Sequence, residues 1–440
     1  MKIVVALALA VLLALGWVFT VNDIVGTKME YNSYIEEANN SFEGRLYEQA
    51  VELYEKALAI DSSDVSVYVN IKDAYKAYYQ EQQTSDAKTK YRKALISCCE
   101  SMPEDCALWE ELIGFYYDSQ DYKSAYKYVK SADKNSASSE YIEEIRDKIL
   151  SMYTLHTQLF NQYTYAQNGT YIVYDGTSYT NVGTDCKAIS LAYDYIGGIG
   201  DGSYAIYKDA SGFTVRDSDE ISRARIDFEI EDSGFFSDDI APIKANGKYI
   251  YINIEGKDAG LGSFDRATSM YSGSAAVSNG GKWGIVDSKG NLTVACKYDD
   301  IALNMYGCYT SGNFYAAAEN GKYMLFDLTG TKIGSFSCAD IDISTDKEWF
   351  AYKDAASGLW GYADSTGTVI IKPQYADAKA FSNGYAAVMS DEGFWGFIDK
   401  DGDLLIDCTF TEAGYFSKDA TCIVASATNR YSLLEFKYNS

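Results

Sequence analysis

A chain of 440 residues, 47% of them hydrophobic, has room for two or three domains and is too apolar to be disordered as a whole. Its 63 acidic and 38 basic residues give a formal charge of −25, which argues against nucleic acid and anionic lipid as partners because both select a positive surface. The 40 tyrosines, 35 glycines and 3 prolines favour short strands joined by tight glycine turns.

The chain opens on an uncharged run of nineteen residues, from Ile3 to Val21, directly after Lys2. At a rise of about 1.5 Å per residue, this run nearly spans a hydrocarbon core of about 30 Å. Because bulky residues stand where a signal peptide would have a small-residue cleavage site, we expect an uncleaved signal-anchor over residues 1–22. Secretion after cleavage is the alternative. With the positive end inside, the bulk of a single-pass cell-membrane protein would lie outside the cytoplasm.

Residues 29–155 repeat small and aromatic residues at spacings of three and four, as one face of a helix does. The residues in this pattern are Ala38, Tyr47, Ala50, Tyr54, Ala57, Trp109, Leu112, Tyr116, Tyr122, Ala125 and Ala132. The pattern resembles the tetratricopeptide repeat (TPR), in which such residues let paired antiparallel helices pack closely. The resemblance implies a short solenoid of the kind that commonly binds peptides in a concave groove; a plain spacer is the alternative.

From about residue 160 to the end, strand-like runs alternate with turns rich in Gly and Asp, and one phrase returns at spacings of 34 to 40 residues. Each unit has an aromatic or apolar residue seventeen positions after its leading glycine and a small or aliphatic one three positions later. The clear units open on Gly247, Gly281, Gly321, Gly358 and Gly393. Less regular units are placed near Gly169 and Gly212, and residues 431–437 resemble the first strand of a further unit.

Three of these units share a Trp-Gly pair followed by an Asp-x-x-Gly turn. Their repeat-defining residues are Trp283, Gly284, Asp287, Gly290, Trp360, Gly361, Asp364, Gly367, Trp395, Gly396, Asp399 and Gly402. In such a turn Asp can accept from the backbone two residues on and Gly can take a positive φ, while the Gly after Trp permits a close backbone approach.

These motifs resemble the WG-repeat proteins over about residues 170–440, although Tyr249-Ile250 and Tyr323-Met324 replace the pair in two units. The resemblance implies bacterial, often envelope-associated repeat proteins with no catalytic residues to carry over. Units of this length with about four strands each match a propeller blade.

We therefore predict an α + β multidomain chain: an N-terminal transmembrane helix over residues 1–22, an α-helical TPR-like solenoid over 29–155, and an all-β WG-repeat domain over 160–440. The β domain is expected to form a β-propeller of about seven blades, with the final strand pairing with the first unit to complete the ring. An open β-solenoid is the alternative.

No motif in the chain specifies a chemistry. Asp399, Asp401 and Asp403 are spaced like the start of a calcium loop, but Phe410 stands where an EF-hand needs glutamate, so we interpret them as a hairpin turn. The nine cysteines have no zinc-site spacing, and the one histidine, His156, has no catalytic motif near it. With no nucleotide-binding motif either, we predict no catalytic residue, no cofactor and no metal.

The predicted function is non-catalytic binding or scaffolding on the outer side of the cytoplasmic membrane. Protein or peptide partners would lie in the TPR-like groove or on the β-repeat face. The alternative is a protein that binds or cleaves cell-wall polysaccharide. Three surface tryptophans near acids would favour that alternative, and three buried between blades would contradict it. Any binding site is expected where the repeat units differ.

Overall fold

A computed structural model describes residues 26–156, 160–200, 202, 204–310, 312–345, 349–427 and 430–436. It divides into a helical unit and a β unit, with the boundary between Ile149 and Leu150.

The helical unit contains seven helices among the described residues, and from α2 to α6 each helix packs on the next. They are α1 (26–43), α2 (Tyr47–Ile60), α3 (Val65–Gln82), α4 (Ser85–Ser101), α5 (Cys106–Asp118), α6 (Tyr122–Lys134) and α7 (Glu140–Leu150). Three helices begin at an aspartate whose carboxylate accepts from a backbone N–H of the first turn: Asp64, Asp105 and Asp121. These caps satisfy donors that a helix start leaves unpaired.

Most of the residues that suggested TPR packing lie inside this unit. The small ones are fully buried, which lets neighbouring helices approach closely; they are Ala38, Ala50, Ala57, Ala125 and Ala132. Tyr54, Trp109, Leu112 and Tyr116 are buried as well, whereas Tyr47 and Tyr122 are half-buried.

The expectation of a single-pass membrane protein is corrected by the helices that the structure describes. None of them is long and apolar enough to cross a membrane. The physical reason is visible in α3, which has 18 residues but carries Lys72, Asp73 and Lys76 within its length. The predicted segment 1–22 itself lies outside the described residues.

The β unit is a β-propeller of eight antiparallel blades. Blade 1 has β2 (Gln162–Tyr165), β3 (Tyr171–Tyr174) and β4 (Tyr179–Val182), and blade 2 has β5 (Tyr195–Ile196), β6 (Tyr204–Asp209), β7 (Gly212–Asp217) and β8 (Ser222–Arg225). Blade 3 has β9 (Asp232–Ser233), β10 (Ile240–Ala245) and β11 (Lys248–Asn253), and blade 4 has β12 (Arg266–Ala267), β13 (Ser274–Asn279), β14 (Lys282–Asp287) and β15 (Leu292–Tyr298).

The second half of the ring is built in the same way. Blade 5 has β16 (Asp300–Ile301), β17 (Phe314–Glu319) and β18 (Lys322–Asp327), and blade 6 has β19 (Asp340–Asp342), β20 (Phe350–Lys353), β21 (Trp360–Ala363) and β22 (Val369–Tyr375). Blade 7 has β23 (Asp377–Ala378), β24 (Tyr385–Met389), β25 (Trp395–Asp399) and β26 (Leu404–Phe410), and blade 8 has β27 (Glu412–Phe416), β28 (Thr421–Ala427), β29 (Arg430–Phe436) and β1 (Tyr153–Leu155).

The ring is closed by a strand from the start of the β unit. In blade 8 the order is β27-β28-β29-β1, and Thr154 of β1 pairs antiparallel with Glu435 of β29. The last strand therefore pairs with β28 and β1, and not with the first repeat unit as predicted. A closed ring also excludes the open β-solenoid.

The prediction of about seven blades was wrong because one repeat is split between the ends of the unit. A repeat in register begins at the third strand of a blade, so seven repeats end on the second strand of blade 8, and the partial unit supplies the third strand of that blade. The missing strands are β1, β2 and β3. The first repeat also begins at Gly176 and not near Gly169, and from Gly176 the positions seventeen and twenty residues on are Tyr193 and Ile196.

Candidate functional site

The first strand of each blade lies at the centre of the ring, where side chains from different blades meet. The Tyr415 hydroxyl in blade 8 donates to the Asp342 carboxylate in blade 6 at 2.8 Å, and the Tyr415 backbone N–H donates to the Tyr165 hydroxyl in blade 1 at 2.7 Å. Burial raises the pKa of Asp342. The first strands therefore enclose a central channel.

One loop of blade 5, residues 303–310, extends into this channel; we call it the central loop. The Asn304 side chain holds its shape by accepting from the backbone N–H groups of Tyr306 and Cys308 at 3.0 and 3.1 Å. The Gln167 amide of blade 1 lies 3.6 Å from the Cys308 sulfur. Tyr306 is thereby placed against the inner strands of blades 1 to 3.

A cavity of about 300 Å³ lies between the central loop and the inner strands of blades 1 to 3, and we call it the tyrosine cavity. Six tyrosines line it: Tyr163, Tyr165, Tyr174, Tyr179, Tyr195 and Tyr306. Of the described residues that line it, Asp232 is the charged one. Gly197, Gly198 and Gly234 also line it, and a Cβ atom on any of them would stand within 2.2 to 2.7 Å of a neighbouring strand or loop, so the glycines allow the close approach of these segments.

Neighbouring tyrosines of the cavity contact one another through their rings. The rings of Tyr174 and Tyr179 lie 4.8 Å apart, and those of Tyr179 and Tyr195 lie 6.1 Å apart. Burial raises the pKa of Tyr195 to about 12 and raises that of Tyr163 as well, so both hydroxyls remain protonated at neutral pH. The wall therefore offers aromatic faces and neutral hydroxyls.

Asp232 stands at the start of its inner strand, a position that carries an acid in five blades. Its carboxylate accepts from the Ser233 N–H at 2.9 Å and from the Tyr249 hydroxyl at 2.6 Å. The five residues, which we call the acidic ring, are Asp232, Asp300, Asp340, Asp377 and Glu412. Sequence reasoning missed this ring, although four of its members lie nineteen positions after a leading glycine.

A second cavity of about 550 Å³ adjoins the first and differs from it in charge. The two share Asp232, Ser233, Gly234 and Tyr306 as lining residues. The second is lined in addition by Lys244, Arg266 and Asp265, among others. Arg266 occupies in blade 4 the position that carries an acid in blade 3. Both cavities are lined in part by residues of blades 3 and 5, the two blades in which Tyr-Ile or Tyr-Met replaces the Trp-Gly pair.

The tryptophans of the repeat belong to the packing of the blades. Trp283, Trp360 and Trp395 are 7%, 7% and 8% exposed. Trp283 packs in a cluster with Ile301 of the next blade, and its edge borders the second cavity. Buried rings cannot stack on a polysaccharide. Three tryptophans buried between blades were the observation expected to contradict the carbohydrate alternative, so the structure counts against it.

The glycine after each tryptophan lies against the backbone of the outer strand. A Cβ atom on Gly284, Gly361 or Gly396 would stand 2.5 Å from a carbonyl oxygen of that strand. At each of these places the pairing between third and fourth strands shifts register. The missing side chain therefore admits a bulge of the outer strand.

The Asp-x-x-Gly sequences form the turns between third and fourth strands. Asp287, Asp364 and Asp399 each accept from the backbone N–H groups two and four residues on, at 2.8 to 3.2 Å. The glycines Gly290, Gly367 and Gly402 have φ values of +83°, +83° and +86°. The side chains of Asp399, Asp401 and Asp403 approach within 4.8 Å of one another in one such turn. Because Asp399 is already bonded within the turn, a hairpin remains our interpretation.

Comparison with known proteins supports the repeat assignment. Four stretches match the family model of the WG containing repeat, at residues 224–249, 283–323, 360–393 and 395–424. The WG resemblance is thus confirmed. No curated protein matches the chain.

Solved structures match each unit at low identity. Kluyveromyces lactis Hsv2p matches with a TM-score of 0.38 and 13% identity, over 55% of this chain and 93% of that one. A eukaryotic initiation factor matches with a TM-score of 0.37 and 13% identity, over 60% and 80%. The Sgt2 TPR domain from Aspergillus fumigatus matches with a TM-score of 0.20 and 21% identity, over 27% of this chain and 76% of that one. At these scores the likenesses say nothing about function.

Proposed function

We propose that this chain, whose propeller is built from WG repeats and whose helical unit is TPR-like, is a non-catalytic scaffold that binds protein partners. The observation that carries the proposal is the tyrosine cavity at the centre of the propeller. Tyrosine combines a large apolar ring with a hydroxyl, and it is enriched among the residues that dominate protein interfaces. Strands of blades 1 and 2 hold five of the six tyrosines in place, so little order has to be gained on binding.

The charges of the cavity support binding over catalysis. Cleavage of a glycosidic bond uses two carboxyl groups about 5 to 9.5 Å apart. The described residues lining the tyrosine cavity supply one carboxylate, Asp232, and it already accepts two hydrogen bonds. The hydroxyls of Tyr163 and Tyr195 have raised pKa values, which makes them poor general bases at neutral pH.

The proposal is tested by comparing what the intact chain and a cavity variant retain from a cell extract. The variant Tyr163→Ala/Tyr179→Ala removes two rings from the wall. The control, Leu292→Ala/Leu404→Ala, shortens two exposed side chains on outer strands, where the leucines are 51% and 43% exposed. We expect specific proteins to be retained by the wild type and the control and lost from the cavity variant. Retention of the same proteins by all three chains, or of none, would refute the proposal.

A further inference from the structure

The tyrosine cavity has an unusual balance of groups: six tyrosines, one carboxylate and, among its described lining residues, no Lys, Arg or His. The face of an aromatic ring carries partial negative charge and attracts a cation placed over it. The same blades already use this attraction. Lys208 Nζ lies 4.6 Å from the ring centre of Phe213, and the Arg216 guanidinium lies 5.1 Å from that of Tyr193.

Asp232 adds a full negative charge that no cation of the described chain neutralises. The neighbouring Glu231 forms an ion pair with Lys244 at 2.9 Å, whereas Asp232 forms none. Its two accepted hydrogen bonds, from Ser233 and Tyr249, leave part of the capacity of a carboxylate for further donors. A cationic group entering the cavity would therefore meet both aromatic faces and an unneutralised carboxylate.

We propose that the tyrosine cavity binds the cationic side chain of a lysine or arginine from a partner protein. This rests on the proposed scaffold function and names the partner residue that the site selects. A volume of about 300 Å³ is at the lower end of the range for ligand pockets, about 300 to 1,000 Å³, and suits one side chain more than a large ligand.

The surroundings favour a cation here and disfavour it next door. The acidic ring and the net charge of −25 attract positively charged segments toward the propeller. In the adjoining cavity, Arg266 adds a positive charge that repels a cation, whereas Lys244 is paired with Glu231. The partner's charged side chain is thereby directed to the side of Asp232 that the tyrosines enclose.

The structure supplies a matched pair of variants for the test. Asp232→Asn removes the charge and keeps one oxygen, which can accept from the Ser233 N–H, while the new NH2 group can donate to the Tyr249 hydroxyl oxygen. Asp300 in blade 5 has equivalent contacts, since it accepts from the Ile301 N–H at 2.9 Å and from the Tyr323 hydroxyl at 2.6 Å, but it lines neither cavity. Asp300→Asn therefore makes the same change in charge and in local hydrogen bonding, at a position outside both cavities.

The probes are three acetylated peptide amides, Gly-Ser-Gly-Xaa-Gly-Ser-Gly, in which Xaa is lysine, arginine or the neutral isostere norleucine. Binding to the full chain is measured by saturation-transfer NMR. We expect the lysine and arginine peptides to bind, the norleucine peptide to bind about ten-fold more weakly, and Asp232→Asn to weaken the cationic peptides by about ten-fold while Asp300→Asn does not. Tyr179→Leu, a second variant that keeps the charge, should weaken them too.

Equal binding of the lysine and norleucine peptides would overturn the inference, and so would equal losses in Asp232→Asn and Asp300→Asn, which would mean diffuse attraction to the acidic ring. The two proposals fail separately. If Tyr163→Ala/Tyr179→Ala loses a protein partner but cationic peptides do not bind, the scaffold function stands and this inference is wrong. If the peptides bind and no protein is retained, the scaffold function is wrong.

Discussion

Replacing Gly361 by alanine should destabilise the propeller through a collision between two strands of blade 6. A Cβ atom there would stand 2.5 Å from the Ile371 carbonyl oxygen and 2.7 Å from the Pro373 nitrogen, well inside the 3.4 Å at which ordinary contact begins. Both atoms belong to the backbone of β22, which cannot rotate away as a side chain would. Overpacking of this kind costs about 1 to 3 kcal/mol, and the rigidity of the strand favours the upper part of that range.

Gly358, three residues earlier, separates steric crowding from backbone strain. It has a φ of +73°, and a Cβ atom on it would meet nothing within 4 Å. Gly358→Ala should therefore cost about 1 to 2 kcal/mol, for the left-handed backbone alone. Asparagine tolerates that conformation, so Gly358→Asn should recover part of the loss, whereas Gly361→Asn should be at least as damaging as Gly361→Ala.

The measurement is urea unfolding followed by tryptophan fluorescence, because Trp283, Trp360 and Trp395 are all buried in the propeller. The change in the free energy of unfolding is read from the shift of the midpoint at constant slope. Finding Gly361→Ala as stable as the wild type, or Gly361→Asn more stable than Gly361→Ala, would show that the outer strand yields freely and that the argument from close approach is wrong.

Three further changes test closure, turns and helices. Phe436→Ala should cost about 3 to 5 kcal/mol, because this ring is 1% exposed and stacks on Phe416 within blade 8. Asp327→Asn should destabilise the propeller at pH 7 but not at pH 2. The hydrogen bond from Thr329 lowers the pKa of Asp327 in the folded chain. The contribution of this carboxylate to the free energy of unfolding is therefore complete above the unfolded pKa of about 3.9 and is lost as the pH falls through the folded pKa. Glu111→Ala should cost about 1.5 to 3 kcal/mol in the helical unit, since Lys72, 7% exposed, loses this partner at 3.0 Å and keeps Asp73 at 2.8 Å.

Each of these changes has its own control. Leu404→Ala, at an exposed position on an outer strand, should change the stability of the propeller little. If it lowered the free energy of unfolding as much as Phe436→Ala does, the Phe436 side chain would have no special role in closing the propeller. For Asp327→Asn, a stability deficit that persists at pH 2 would show that the side chain acts by its shape and not by its charge. Glu52→Ala removes an exposed acid from α2 and should be nearly neutral by thermal unfolding followed by circular dichroism.

The repeat register was readable from the sequence because it reports contacts that recur in every blade. An aromatic or apolar residue ends the fourth strand, as Tyr298 and Tyr375 do, and a small or aliphatic one ends the short inner strand, as Ile301 and Ala378 do. The small residues of the helices were readable for the same reason, since buried alanines are required wherever two helices approach closely.

The number of blades and the tyrosine cavity depend on contacts between residues far apart in the chain. The pairing of Thr154 with Glu435 leaves no periodic signal, because β1 is used once. The cavity needs Tyr306 of blade 5 beside strands of blades 1 to 3, and no local pattern shows where a loop will end. The prediction that a binding site lies where the units differ stays a prediction, and it does not say which residues would form the site.

Two departures from the Trp-Gly pair connect the architecture to the acidic ring. In blades 3 and 5, Ile250 and Met324 occupy the glycine position, and the fourth strand is reduced to isolated bridges, whereas the three Trp-Gly blades have seven-residue fourth strands. In the same two blades tyrosine replaces tryptophan, and its hydroxyl donates to an acid of the ring, Asp232 or Asp300. Tryptophan has no hydroxyl to make this bond. Blades 3 and 5 thus have a shorter fourth strand and an inner-strand carboxylate that a tyrosine hydroxyl holds in place. In blade 3 that carboxylate is Asp232, the charged group of the tyrosine cavity.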